Sequence, residues 1–113
     1  MHGCRHRYEP SPNLTLAHEV SPQPPRVGQV TIELRLTDAG GTAVTGALLK
    51  LEGNMSHAGM VPVFGEAKET EPGRYRSTLE LSMAGDWYIL VTVTLPDDRK
   101  FQRQFKIEAV APV

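Results

Sequence analysis

The sequence is poor in most of the features that announce a chemistry. Cysteine is almost absent: among 113 residues only Cys4 carries a thiol. No intramolecular disulfide can staple the fold, and no four-cysteine zinc site can form. Nowhere do about eighteen apolar residues run together, the length a membrane-spanning helix needs. Neither sign of charge is in excess. Twelve Lys and Arg stand against thirteen Asp and Glu, a formal net charge of −1. That balance lacks the basic footprint of a nucleic-acid binder and offers anionic lipid nothing to attract. Aromatic residues make up 6%, few for the exposed rings on which carbohydrate-binding modules depend. There is no nucleophile elbow, no general-base motif, and no glycine-rich phosphate loop between a strand and a helix. Neither an enzyme nor a small-molecule substrate is expected.

What is present is enough for one folded domain. Hydrophobic residues are 40% and charged residues 22% of a 12.4 kDa chain, which suits a single core. Five of the nine prolines fall between Pro10 and Pro25. Proline fixes φ and removes a donor, so residues 1–26 are expected as an extended tether. Its one candidate strand is 14–20, where Leu14, Leu16, His18 and Val20 share a face.

From residue 27 to 110 the hydrophobic pattern has period two, and no window repeats convincingly every 3.6 residues. Val30, Ile32, Leu34 and Leu36 alternate with polar neighbours, and so do Trp87, Ile89, Val91, Val93 and Leu95. Turn chemistry at Asp38–Gly41, Gly53-Asn54, Glu71–Gly73, Ala84-Gly85 and Pro96–Asp98 separates the segments. Strands are therefore predicted over 14–20, 29–38, 46–52, 61–68, 73–81, 86–95 and 99–108. About seven short strands joined by short turns predict an all-β, immunoglobulin-like antiparallel β-sandwich. Trp87 is expected in its core. Arg99, Lys100, Arg103 and Lys106 are expected on a solvated hairpin face.

In such a sandwich the chain reverses at each turn, so alternate loops share an end. The loop from Gly53 to Met60 and the loop from Ser82 to Gly85 then lie together, with the strand carrying His18 ending nearby. The first loop holds Met55, His57 and Met60, and the second holds Met83. Thioether sulfur is soft and neutral, and it selects Cu(I) over zinc, calcium or magnesium; an imidazole beside it strengthens the site. Met55, His57, Met60 and Met83 are thus the candidate copper ligands, with His18 a weaker fifth. The competing expectation is that these methionines only cap the open end of the sandwich as flexible filler.

Cys4 follows a small residue, Gly3, and precedes the proline-rich stretch. Bacterial lipoproteins are cleaved before such a cysteine, which is then acylated. On this expectation Met1-His2 stands where an apolar signal region would be, and Cys4 is a lipid anchor.

Taken in order, Gly41-Thr-Ala-Val-Thr-Gly-Ala, the Met55/His57/Met60 loop, Pro72-Gly73-Arg74-Tyr75 and Met83-Ala84-Gly85-Asp86-Trp87 resemble YtkA-like and FixH-like domains over roughly residues 27–108. FixH proteins carry a membrane helix that this chain lacks, so the YtkA-like comparison is the nearer. The resemblance implies a small extracytoplasmic bacterial β-sandwich associated with copper handling and cytochrome oxidase assembly. It places Met55, Met60 and Met83 on the family's methionines, with His57 where many members have another methionine or a small residue. It also implies a copper-handling or membrane-complex protein as partner, with membrane contact only through the lipid anchor. The alternative function is a metal-free structural or interaction sandwich accessory to an efflux or oxidase complex.

Overall fold

The computed structural model describes residues 14–55 and 61–112. Over them the chain forms seven strands: β1 (Leu14–Ser21), β2 (Gly28–Asp38), β3 (Leu48–Asn54), β4 (Val63–Glu71), β5 (Arg74–Leu81), β6 (Gly85–Thr94) and β7 (Lys100–Val110). All pairings between these strands are antiparallel. Their hydrogen-bonded order is β1-β2-β5-β4-β3-β6-β7.

The ribbon folds over at β4, which belongs to both layers. Its first half, Val63 to Ala67, pairs with β3. Its second half, Lys68 to Glu71, pairs with β5 across an irregularity between Glu69 and Glu71. Gly65 sits at this corner, where an added Cβ would fall 2.9 Å from the Thr78 carbonyl oxygen and 2.8 Å from the Ser77 hydroxyl. A side chain there would push the two strands apart. The result is the predicted immunoglobulin-like sandwich, with β1-β2-β5 facing β3-β6-β7.

Alternation builds the core. Val30, Ile32, Leu34 and Leu36 of β2 and Trp87, Ile89, Val91 and Val93 of β6 are buried, and they join one cluster with Leu49, Leu51, Tyr75 and Leu79. Each such side chain contributes about 1.5–3 kcal/mol by leaving water. Six strand predictions match the observed spans within two residues at each end, and the seventh, β4, within three. β3 and β4 run two to three residues further along the chain than expected, for different reasons. Gly53 looks like a strand stop, but it stays in β3 because an added Cβ would meet Val63, Ile89 and the Trp87 ring at 2.9–3.4 Å. β4 continues through polar residues because it changes partner.

The side between β1 and β7 has no continuous ladder, and side chains and loops close it. β1, expected as a lone strand within the tether, pairs with β2 along its whole length. His18 stacks on Phe105 with ring centroids 3.9 Å apart and planes at 12°. The Arg103 guanidinium donates to the Leu14 carbonyl at 3.4 Å. Beyond β1, Val27 N donates to Ala111 O at 2.8 Å and Ala111 N to Pro25 O at 3.0 Å.

The end formed by the β2–β3, β4–β5 and β6–β7 loops is tied by side chains bonding backbone. The buried Tyr75 hydroxyl donates to Val44 O at 2.8 Å and accepts from Ala47 N at 3.1 Å. Glu69 accepts from Gly46 N at 3.0 Å and Gly73 N at 3.1 Å. Asp38 Oδ1 accepts from Gly40 N and Thr42 N, each at 2.9 Å. Asp97 accepts from Arg99 N at 3.2 Å, which holds its carboxyl below the usual carboxylate range.

Candidate metal site at the other end of the sandwich

The opposite end gathers the ends of β3 and β5 with the starts of β4 and β6. Met55 follows directly on β3, and Met83 lies in the turn between β5 and β6. Their two segments touch: a Cβ built at Gly85 would fall 2.9 Å from the Met55 Cε methyl. Gly85 also has φ near +123°, a conformation that side chains with a Cβ rarely adopt. The backbone conformation calls for glycine here, and the end of the Met55 side chain occupies the space that a Cβ would take. Met55 is half-buried and packs on the core cluster.

Met83 is held differently. The Trp87 indole is fully buried, and its Nε1 donates to Met83 O at 2.9 Å. That bond satisfies a buried donor and pins the backbone of the turn, while the Met83 side chain stays 45% exposed. Trp87 is therefore the core residue expected, with an added task at the turn. Behind it Asp86 accepts from Ala109 N at 2.9 Å. This bond, with Lys106 at 3.6 Å, holds the Asp86 carboxyl below its ordinary range.

Cys4, His57 and Met60 lie outside the described residues. Met55, directly after β3, and Val61, two residues before β4, flank in sequence the segment that carries His57 and Met60. His18 stands apart. It lies opposite Leu34 in β2, and Leu34 lies opposite Tyr75 near the start of β5, away from the methionine end. Its stack on Phe105 shields one ring face, and this desolvation lowers its pKa from 6.5. Among the described residues no three or more His, Cys, Asp or Glu side chains converge as a metal cluster. The donor chemistry assembled at the methionine end is thioether.

One property of this end was not drawn from the sequence. Among the described residues Val61, Phe64 and Met83 are 75%, 70% and 45% exposed, and Leu48, at the start of β3, is 41% exposed. Their signal was there: neither Gly53–Phe64 nor Leu81–Gly85 contains Asp, Glu, Lys or Arg.

A family model described as YtkA-like matches residues 14–92. No curated protein matches the chain. Among solved structures, one of murine CRIg is similar at 17% identity and a TM-score of 0.47, covering 88% of this chain and 98% of that one.

Proposed function

The chain belongs to the YtkA-like family, and from that membership we propose that it is a non-enzymatic, extracytoplasmic copper-binding domain. It holds Cu(I) through Met55, Met60 and Met83, with His57 beside them, for transfer, sequestration or oxidase assembly. The observation that carries this reading is the apposition of Met55 and the Met83 turn across Gly85. Two chain segments about thirty residues apart bring soft, neutral donors to one end of a sandwich. The donors suit the cargo. A thioether needs no deprotonation, so binding persists in acid where thiols and imidazoles are protonated. A neutral site also needs no acidic cluster around it. The turn that carries Met83 is fixed at its backbone by Trp87, while the side chain can move onto an ion.

In this reading Cys4 is acylated, and the partner is a copper-handling or membrane-complex protein. Labelling with a palmitate analogue that is lost in Cys4→Ala checks the anchor. The metal site is tested by anaerobic Cu(I) titration against a competing chromophoric ligand. Replacing Met55, Met60 and Met83 together by Leu should weaken binding by roughly a hundredfold or more, since no soft sulfur is left in that set. Unchanged affinity places the site elsewhere. The metal-free interaction sandwich draws its support from the exposed Val61 and Phe64. It expects Met methyl resonances that do not move on adding Ag(I).

A further inference from the structure

We propose that Asp86 is a positioning residue of the methionine end. By capping a bulge in β7 it holds Gly85, Asp86 and Trp87 where they bring Met55 and the Met83 turn together. Its role toward the ion rests on the thioether site proposed above, and the placement of the segment rests on contacts within the described residues.

Ala109 has φ near +53°, in the left-handed region that a residue with a Cβ keeps only when its surroundings hold it there. Asp98, the other described non-glycine residue with a positive φ, lies in the connection between β6 and β7, whereas Ala109 lies inside β7. The register accounts for its place. Gly85 pairs with Val110 and Trp87 with Ile107, so Asp86 alone stands opposite two residues, Glu108 and Ala109. That is a β-bulge, a device that re-aims a strand and is common beside functional sites. Asp86 Oδ1 accepts from Ala109 N at 2.9 Å. The one residue on the short side of the bulge thus caps the extra residue on the long side. Past the bulge Val110 is buried opposite Gly85, and Ala111 bonds back to Pro25 and Val27.

Three consecutive residues then carry three different ties. Gly85 lies against Met55, whose Cε methyl is 2.9 Å from where a Cβ would stand. Asp86 fastens the segment to β7. Trp87, its ring buried, donates Nε1 to Met83 O at 2.9 Å. The Asp86 bond therefore sits between the contact to one methionine segment and the contact to the other. Lys106 lies 3.6 Å from Asp86 and 3.6 Å from Glu108, and such exposed pairs contribute little. The cap is the bond to the backbone. Without it the irregular stretch of the ladder can relax, and Gly85 and Trp87 no longer keep a fixed spacing. A site whose supporting contacts loosen by about an ångström loses affinity with every ligand still present.

NMR and Ag(I) titration on the full chain test this. Asp86→Ala removes the acceptor, Asp86→Asn keeps it, and Lys106→Met removes the ion pair alone. Two signals of the metal-free protein report the geometry: the NOE between the Met55 ε-methyl and the Gly85 α-protons, and the indole N–H shift of Trp87, the sole tryptophan. Both should change in Asp86→Ala and persist in the other two variants. Ag(I) affinity should fall about three- to tenfold in Asp86→Ala and less than about twofold in the others. Adding Ala109→Gly to Asp86→Ala relieves the positive φ and keeps the sandwich folded with the bond still absent, so affinity should stay low. Unmoved methyl and indole signals in Asp86→Ala overturn the proposal. So does an equal loss in Asp86→Asn or Lys106→Met, or affinity restored by Ala109→Gly. A wild type that binds no Ag(I) removes the thioether site instead, and the NMR comparison then decides the positioning by itself.

Discussion

The two ends of this sandwich are built from opposite materials. At one end polar side chains reach back to the chain: Tyr75, Glu69, Asp38 and Asp97 together take up the free backbone groups of three loops. At the other, the β3–β4 and β5–β6 loops meet through a thioether methyl against a glycine, and a single indole bond fixes the turn. Among the described residues of this end, backbone bonds lace the flank facing β1, between Pro25–Val27 and Ala111. A loop locked by directed hydrogen bonds has one conformation. A loop held by apolar contact can repack, because Met has several rotatable bonds and adapts to its neighbours. The first arrangement serves the scaffold, and the second suits the ion site proposed for that end.

The contrast can be broken most strongly at Gly85. Gly85→Ala should destabilise the fold by about 1–3 kcal/mol, chiefly because it forces a Cβ into a positive-φ position and to a lesser degree because the end of the Met55 side chain must move aside. Adding Met55→Ala should recover part of that loss and leave the φ component. Urea melts of the two single variants and the double variant measure the coupling, and strict additivity would show that Met55 and Gly85 are not in contact.

At the tied end, Tyr75→Phe should cost about 1–3 kcal/mol, because a buried acceptor and a backbone donor both lose their partner. A loss below a few tenths would mean that water replaces the hydroxyl. Met83→Leu should change stability by less than about 0.5 kcal/mol, as expected for an exposed side chain, while weakening Cu(I) binding. A large thermal shift without a change in affinity would reverse the roles assigned to the two ends.

The smallest effect belongs to the seam between them. Desolvation against Phe105 lowers the pKa of His18 below its ordinary 6.5. The unfolded chain therefore binds that proton more readily, and stability declines as pH falls through about 6.5. His18→Phe keeps the stack and removes the proton. It should reduce the difference in urea midpoint between pH 7.5 and pH 5. An unchanged difference would trace the pH dependence to other groups.

Strand number and approximate bounds were legible because one face of nearly every strand is apolar at period two, and burial enforces that pattern. The misplaced bounds lie where the pattern is silent. Gly53 has no side chain with which to signal its face, and the Trp87 ring uses the space it leaves. The polar second half of β4 pairs with β5, a change of partner that alternation cannot encode. The meeting of the Met55 and Met83 segments at one end was legible as loop parity. That Trp87 would anchor the Met83 carbonyl was not, since a hydrogen bond four residues away depends on the shape of the turn.

The sequence by itself determined the class of fold and the family, because these follow from local periodicity and from the pattern of side chains present. Tertiary structure alone decided which groups meet. It set Met55 against Gly85, turned His18 to Phe105 instead of toward the methionines, and left Val61 and Phe64 uncovered. Such neighbours are fixed by strand register and by the crossing at β4, and these arise only when the two layers close on a common core.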